Sequence, residues 1–213
     1  MAFDTGKNSN YVKDRYGLNP LDITADHIKA KVLQYFRYTR ANVFMCCSEM
    51  VDPLSNCRED IVCRENRKGN VLYHAIEVKI SESDFKREFW HKQEKHKERG
   101  DGRFYDYFYF AVPFDLVSFV RGYLEQEMLP YGLFGVGYDE SKSLEVKLIV
   151  KASPLHPFDE IPREELIRKV DDALCARMSS EVTDARTEVY KLKDGLSEVK
   201  RQIFFLANGI KLS

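Results

Sequence analysis

A chain of 213 residues and 24.9 kDa can bury one good hydrophobic core with little left over, so the length predicts one domain plus an appendage. Hydrophobic residues at 44% and charged residues at 31% exclude a disordered chain, and a formal net charge of -1 excludes a global field that would draw the protein onto nucleic acid. Affinity of that kind must come from a local basic face. No run reaches the roughly 18 to 20 apolar residues of a membrane helix, and the start MAFDTGKNSNYVKDR lacks the apolar middle of a signal peptide, so the expectation is no membrane and a cytoplasmic location. The five cysteines are odd in number and include the adjacent Cys46 and Cys47, which predicts free thiols; no CxxC occurs and no His follows Cys57 and Cys63 at finger spacing, so no structural zinc is expected.

Residues 1–20, ending in Gly17-Leu18-Asn19-Pro20, are polar and unpatterned and read as a flexible N-terminal segment. A helix follows from an N-cap at Thr24, with Ile28, Val32, Leu33 and Phe36 at helical spacing, to about Arg40. VFMCCSEM at 43–50, REDIVCR at 58–64 and VLYHAIEVKI at 71–80 read as three strands, parted by a loop with Pro53 and Asn56 and by the turn Lys68-Gly69-Asn70. Three successive strands predict an antiparallel meander. Ser81 to Arg99 has a Ser N-cap and neither Gly nor Pro, hence a helix; FYDYFYFAVP at 104–113 is an aromatic strand stopped by Pro113, with Tyr105, Tyr107 and Tyr109 on one face and Phe104, Phe108 and Phe110 on the other. Strand, helix, strand predicts a crossover onto the same sheet, which then mixes parallel and antiparallel neighbours.

A short helix around 115–127, the Gly-bounded GLFGVGYD at 132–139 and the strand SLEVKLIVKA at 143–152 complete an α/β core spanning 21–158. From Pro162 to about Ala207 the pattern is helical, with candidate breaks at Ser179-Ser180 and Gly195, within a helical extension covering 159–213. There Val182, Ala185, Val189, Leu192, Leu196, Val199, Ile203 and Leu206 alternate spacings of three and four. That is a coiled-coil seam over 182–206, serving either a homodimer or the sheet of its own chain.

The chemistry concentrates at 60–80. Residues two apart on a strand share a face, so Glu77 and Lys79 point one way while Ile76, Val78 and Ile80 point the other. Asp60 lies on the preceding strand, and the short turn between the two can bring its carboxylate beside Glu77. Two close carboxylates repel, a hard cation such as magnesium relieves that repulsion, and a lysine ammonium steadies a transition state's negative charge. Acid, acid and lysine make a minimal phosphodiesterase. Acid-x-Lys also occurs at Asp84, Glu140, Glu145 and Glu198; of these only Glu145-Val146-Lys147 is strand-like, and it lacks both an acidic strand upstream and a basic helix downstream. The 77–79 site has both: SESDFKREFWHKQEKHKER follows it, with Lys86, Arg87, Lys92, Lys95, Lys97 and Arg99 to neutralise backbone phosphates, or to form a solvated helix face.

Asp60, Glu77-Val78-Lys79, SESDFKREF, Lys95-His96 and FYDYFYFAVP, in that order, resemble the PD-(D/E)XK nuclease superfamily and, within it, the MmcB-type DNA repair protein branch. The resemblance covers roughly 24–152, more weakly past GLFGVG; Asp60 follows Glu59 where the family's dipeptide has proline. It implies a restriction-endonuclease-like fold, a mixed central sheet flanked by helices. It further implies Asp60 and Glu77 as ligands of Mg2+ or Mn2+ with help from the Val78 carbonyl, Lys79 as the catalytic lysine, Lys95 near the site, and Glu49 or Asp26 as an additional acid. The function expected on these grounds is a metal-dependent DNA endonuclease or nuclease-like repair protein, DNA being preferred to RNA. The alternatives are a nucleic-acid-binding module of the same fold without turnover, and an oligomerising scaffold that works through the 182–206 seam.

Overall fold

Thr24 is extended, and its hydroxyl accepts the His27 N–H while the His27 ring accepts the Thr24 N–H, a capping box that starts α1 (Ala25–Gln34) at the expected residue. A π turn over Tyr35–Thr39 prolongs it. The computed structural model describes residues 23–54, 56–91, 104–155 and 162–207. The segment 1–20 lies outside them.

Six strands follow: β1 (Val43–Val51), β2 (Arg58–Arg67), β3 (Asn70–Val78), β4 (Tyr107–Pro113), β5 (Gly132–Tyr138) and β6 (Leu144–Val150). Helix α2 (Glu82–His91) stands between β3 and β4, and α3 (Val117–Gln126), entered through a 3-10 turn at Phe114–Leu116, stands between β4 and β5. The order in the sheet is the order in the chain. β1, β2 and β3 form the antiparallel meander, β3, β4 and β5 are parallel, and β6 returns antiparallel. Parallel neighbours need crossovers, which α2 and α3 provide. The fold is therefore α/β, a six-stranded mixed sheet flanked by helices, with a long C-terminal helix α4 (Arg163–Ala207).

Alternation along β4 sorts the aromatics into two layers. Phe108, Phe110 and Val112 pack with Phe85 of α2, Val117 and Val120 of α3, and Leu166, Val170 and Leu174 of α4. Tyr109 and Ala111 pack on the opposite face with Ile28, Val32 and Phe36 of the α1 segment. Tyr105 leaves the expected tyrosine face: β4 begins only at Tyr107, and Tyr105 is buried with Phe104 in the larger layer. Under α1 lies a buried polar group. His74 Nε2 stands 2.7 Å from Glu65 Oε2, with Arg40 and Arg67 on the same carboxylate and the Tyr107 ring stacked on His74 at 5.0 Å. The His74 hydrogen bond and the Arg40 charge outweigh burial and hold the Glu65 carboxyl at about 2, while burial pushes His74 below its ordinary value.

Helix α4 is unbroken through Ser179, Ser180 and Gly195. A lone glycine costs a helix only about 1 kcal/mol, too little to end it. Its first half lies on the sheet and its polar side chains close the free edge of β1: Glu181 accepts the Ser48 N–H at 2.6 Å and hydroxyl at 2.8 Å, Arg177 donates to the Ser48 carbonyl at 2.7 Å, and Arg37 links the Cys46 carbonyl, at 2.6 Å, to Glu181, at 2.9 Å. From Val182 to Lys200 every residue is exposed. Among the described residues no disulfide forms, and no helix is long and apolar enough to cross a membrane.

Two glycines give opposite predictions. A Cβ on Gly132 would meet the Tyr109 ring at 2.2 Å and the Ala152 backbone N at 2.8 Å, whereas one on Gly122, exposed in α3, would meet nothing within 4 Å. Gly132→Ala is expected to destabilise by about 1 to 3 kcal/mol and Gly122→Ala to stabilise by up to about 1 kcal/mol, read by urea unfolding. For Glu65, a carboxyl held low in the folded state takes its proton later than in the unfolded chain. Its contribution is full above pH 4.5 and drains as the pH falls toward about 2, worth on the order of 3 kcal/mol. Glu65→Gln should therefore flatten the stability curve between pH 4.5 and 3, whatever it costs at neutral pH.

Candidate functional site

The β2–β3 ladder ends at Ile61 opposite Ile76. One step further the strands part, and the Asp60 side chain takes the place of a main-chain acceptor, receiving the Val78 N–H at 2.8 Å. Its other oxygen lies 3.0 Å from Lys29 Nζ on α1, and Lys29 also pairs with Glu49 of β1. Arg58 reaches the same Glu49 at 3.0 Å. Burial alone would lower the Lys29 pKa; the Glu49 and Asp60 carboxylates outweigh it and hold the ammonium above its ordinary value.

Why Asp60 turns toward α1 is written in the β1 backbone. Cys47 and Met50 belong to the same buried layer although they are three positions apart, so the alternation of faces is broken between them. The break is at Glu49, whose φ of 54° is in the left-handed region that a residue with a Cβ rarely adopts. Met50 pairs with Glu59, and paired residues share a face, so Glu59, fully buried, belongs to the α2 side of the sheet.

That side holds the second cluster. Lys79, just past β3, donates its backbone N–H to the Ala111 carbonyl at 3.0 Å, and its Nζ lies 2.9 Å from Glu77 Oε1 and 2.9 Å from Glu88 Oε2 of α2. Lys79 is 7% exposed, Glu77 4% and Glu88 2%, so the ion triad is taken almost wholly out of water. Burial would lower the Lys79 pKa, but Glu77 and then Glu88 outweigh it and raise it. The lysine is a fixed cation, suited to steadying negative charge and unsuited to accepting a proton.

Asp60 thus meets β3 only through the Val78 amide and stands on the α1 side with Lys29 and Glu49, while Glu77 and Lys79 form a separate cluster with Glu88 on the α2 side. Asp26, exposed in the first turn of α1, makes none of these contacts. On α2, Arg87 is exposed and Lys86 half-buried, with its ammonium 5.0 Å over the Phe119 ring of α3; Lys86 meets Glu82 at 3.4 Å and Arg87 meets Asp84 at 3.5 Å. Lys92, Lys95, Lys97 and Arg99 lie outside the described residues. Glu145 of the competing acid-x-Lys pattern sits on the edge strand β6, 3.6 Å from Lys31. Sequence reasoning missed Lys29, Glu59 and Glu88. Glu88 carried a signal, since with Phe85 and Phe89 it falls on the apolar stripe of α2, where an acid needs a buried partner.

The carboxylate and carbonyl oxygens at this end of the sheet are hard donors of the kind magnesium and manganese take. Asp60 and Glu77 each already meet an ammonium, so an ion here would have to displace lysine charge. Among the described residues no group of three or more His, Cys, Asp or Glu is arranged to hold a metal.

Removing Lys79 would take away the ammonium that two buried carboxylates share. Lys79→Met is expected to destabilise the fold by roughly 3 to 5 kcal/mol, and adding Glu88→Gln should recover part of it, with a coupling energy above about 1 kcal/mol in a double-mutant cycle by urea unfolding.

No protein-family model matches the chain, and a search of curated proteins finds no match. Among solved structures the chain is similar to the SPO1766 protein of unknown function from Silicibacter pomeroyi, with 19% identity, coverage of 78% of this chain and 94% of that one, and a TM-score of 0.49.

Proposed function

We propose that the protein is a metal-dependent phosphodiesterase of nuclease type, acting on nucleic acid and on DNA in preference to RNA, in repair or processing. The observation that carries this reading is the Asp60 carboxylate bonded to the N–H of Val78, the residue between Glu77 and Lys79 in the chain, at the point where two strands diverge. The element order α1, β1, β2, β3, α2, β4 also supports it, being the order that the PD-(D/E)XK resemblance implies. Asp60, Glu77 and the Val78 carbonyl would hold Mg2+ or Mn2+. Such an ion, when bound, polarises a phosphate and acidifies a water.

The chain's own residues have separate tasks. Lys79, kept cationic by two carboxylates, offsets negative charge developing on the phosphate. Lys29 holds Asp60 and Glu49 together until a substrate or ion competes for them. Lys86 and Arg87 of α2, with Lys92, Lys97 and Arg99 of the segment beyond it, neutralise backbone phosphates. An intracellular place of action belongs to the same proposal.

A second reading has its own observation. Both lysines are closed between carboxylates, Lys29 between Glu49 and Asp60 and Lys79 between Glu77 and Glu88, which suits a nucleic-acid-binding module without turnover. Calorimetric titration with Mn2+ and Mg2+, run beside cleavage of plasmid and branched DNA, separates the two. The proposal expects the wild type to bind an ion and nick DNA, and Asp60→Asn and Glu77→Gln each to lose at least about 100-fold in rate while still folding. DNA binding without ion binding or cleavage would establish the second reading. Neither binding nor cleavage would overturn both.

A further inference from the structure

The outer half of α4 is a helix with a hydrophobic stripe that nothing among the described residues covers. Val182, Val189, Leu192, Leu196 and Val199 are 49 to 65% exposed. Heptad positions a and d continue through 206, about three and a half heptads in all, enough for a stable two-helix contact. The stripe is also self-complementary. When a second copy runs antiparallel about residue 194, Leu192 meets Leu196 and Val189 meets Val199, while 185 meets 203 and 182 meets 206, so every a position faces a d position. A surface that matches itself about a twofold axis is the mark of an isologous contact.

Two effects compete over direction. The flanking positions favour a parallel pair, since Glu188 would then meet Lys193 of the other copy; antiparallel helices bring Lys193 to Lys193 and Arg186 to Lys200. Exposed pairs of this sort are each worth only about 0.3 to 0.5 kcal/mol. Against this stands excluded volume. At 100° per residue, Leu174, Met178 and Glu181, which seat the helix on its own sheet, lie on the same side as Ala185, Leu192 and Leu196. A parallel partner would have to run through the space that the sheet fills, whereas an antiparallel partner enters from the far end and stops where the sheet begins. Overlap of packed atoms decides over fractions of a kcal/mol.

We infer that the protein forms an antiparallel homodimer through residues 182–206, with the two sheets at opposite ends of a two-helix rod. This stands independently of the nuclease reading. Because like charges face one another along the rod, the dimer tightens as salt is added, by up to about tenfold.

Sedimentation of the full chain at tens of micromolar tests it. The expected result is a dimer that strengthens with salt and becomes monomeric in Leu192→Asp/Leu196→Asp, a change of exposed residues that leaves thermal unfolding of the sheet in place. With Cys57 and Cys175 changed to serine, a short bis-maleimide should join Lys193→Cys to its own copy and fail to join Val189→Cys. A wild-type monomer, a dimer indifferent to the aspartates, or cross-linking of Val189→Cys in place of Lys193→Cys would overturn the proposal.

Discussion

An ionised carboxylate taken out of water costs several kcal/mol unless an opposite charge and hydrogen bonds come with it. This chain takes Glu59, Glu65, Glu77 and Glu88 almost wholly out of water, along with the Lys79 ammonium. Much of its architecture follows from having to neutralise them. Lys79 bridges β3 to α2 by meeting Glu77 and Glu88 together, and with Phe85 and Phe89 this contact ties the crossover helix to the sheet. On the opposite face Glu65 does the equivalent work for Arg40, Arg67 and His74, drawing the end of the α1 segment onto β2 and β3.

The second constraint is geometric. A sheet alternates its faces without fail unless the backbone breaks the rhythm. Glu49 breaks it, and the consequence is a division of labour between neighbouring acids: Glu59 goes inward with Met50 while Asp60 swings to Lys29 and to the Val78 amide. β1 and β2 keep pairing through the reversal, while β2 and β3 part beside it and leave the gap that the Asp60 carboxylate fills.

Much of this was legible in the sequence. Hydrophobic periodicity placed every helix and strand of the described core, since period two and period 3.6 are imposed by burial itself. The mixed topology followed from the order of elements, because three strands joined by short turns can only meander and a strand–helix–strand unit can only cross over. The acid-x-lysine strand and its acidic neighbour were legible too. What escaped were the partners of those charges. Lys29 lies some thirty residues from Asp60 in sequence and meets it only because α1 packs across the sheet. The face reversal at Glu49 left no trace, since glutamate carries no preference for positive φ. Ser179-Ser180 and Gly195 looked like interruptions, yet local propensities of about 1 kcal/mol do not outweigh a helix already nucleated on the sheet.

The root of α4 has a mechanical aspect. Glu181 grips both the amide and the hydroxyl of Ser48, and Ser48 is the residue before Glu49. From that grip to Ala207 the helix is a stiff lever with a rise of about 1.5 Å per residue, about 40 Å in length. A helix transmits torque along its axis far better than a loop does. Any load on the far end of the lever is therefore delivered to Ser48, beside the left-handed Glu49, which makes the β1 edge the fulcrum of α4.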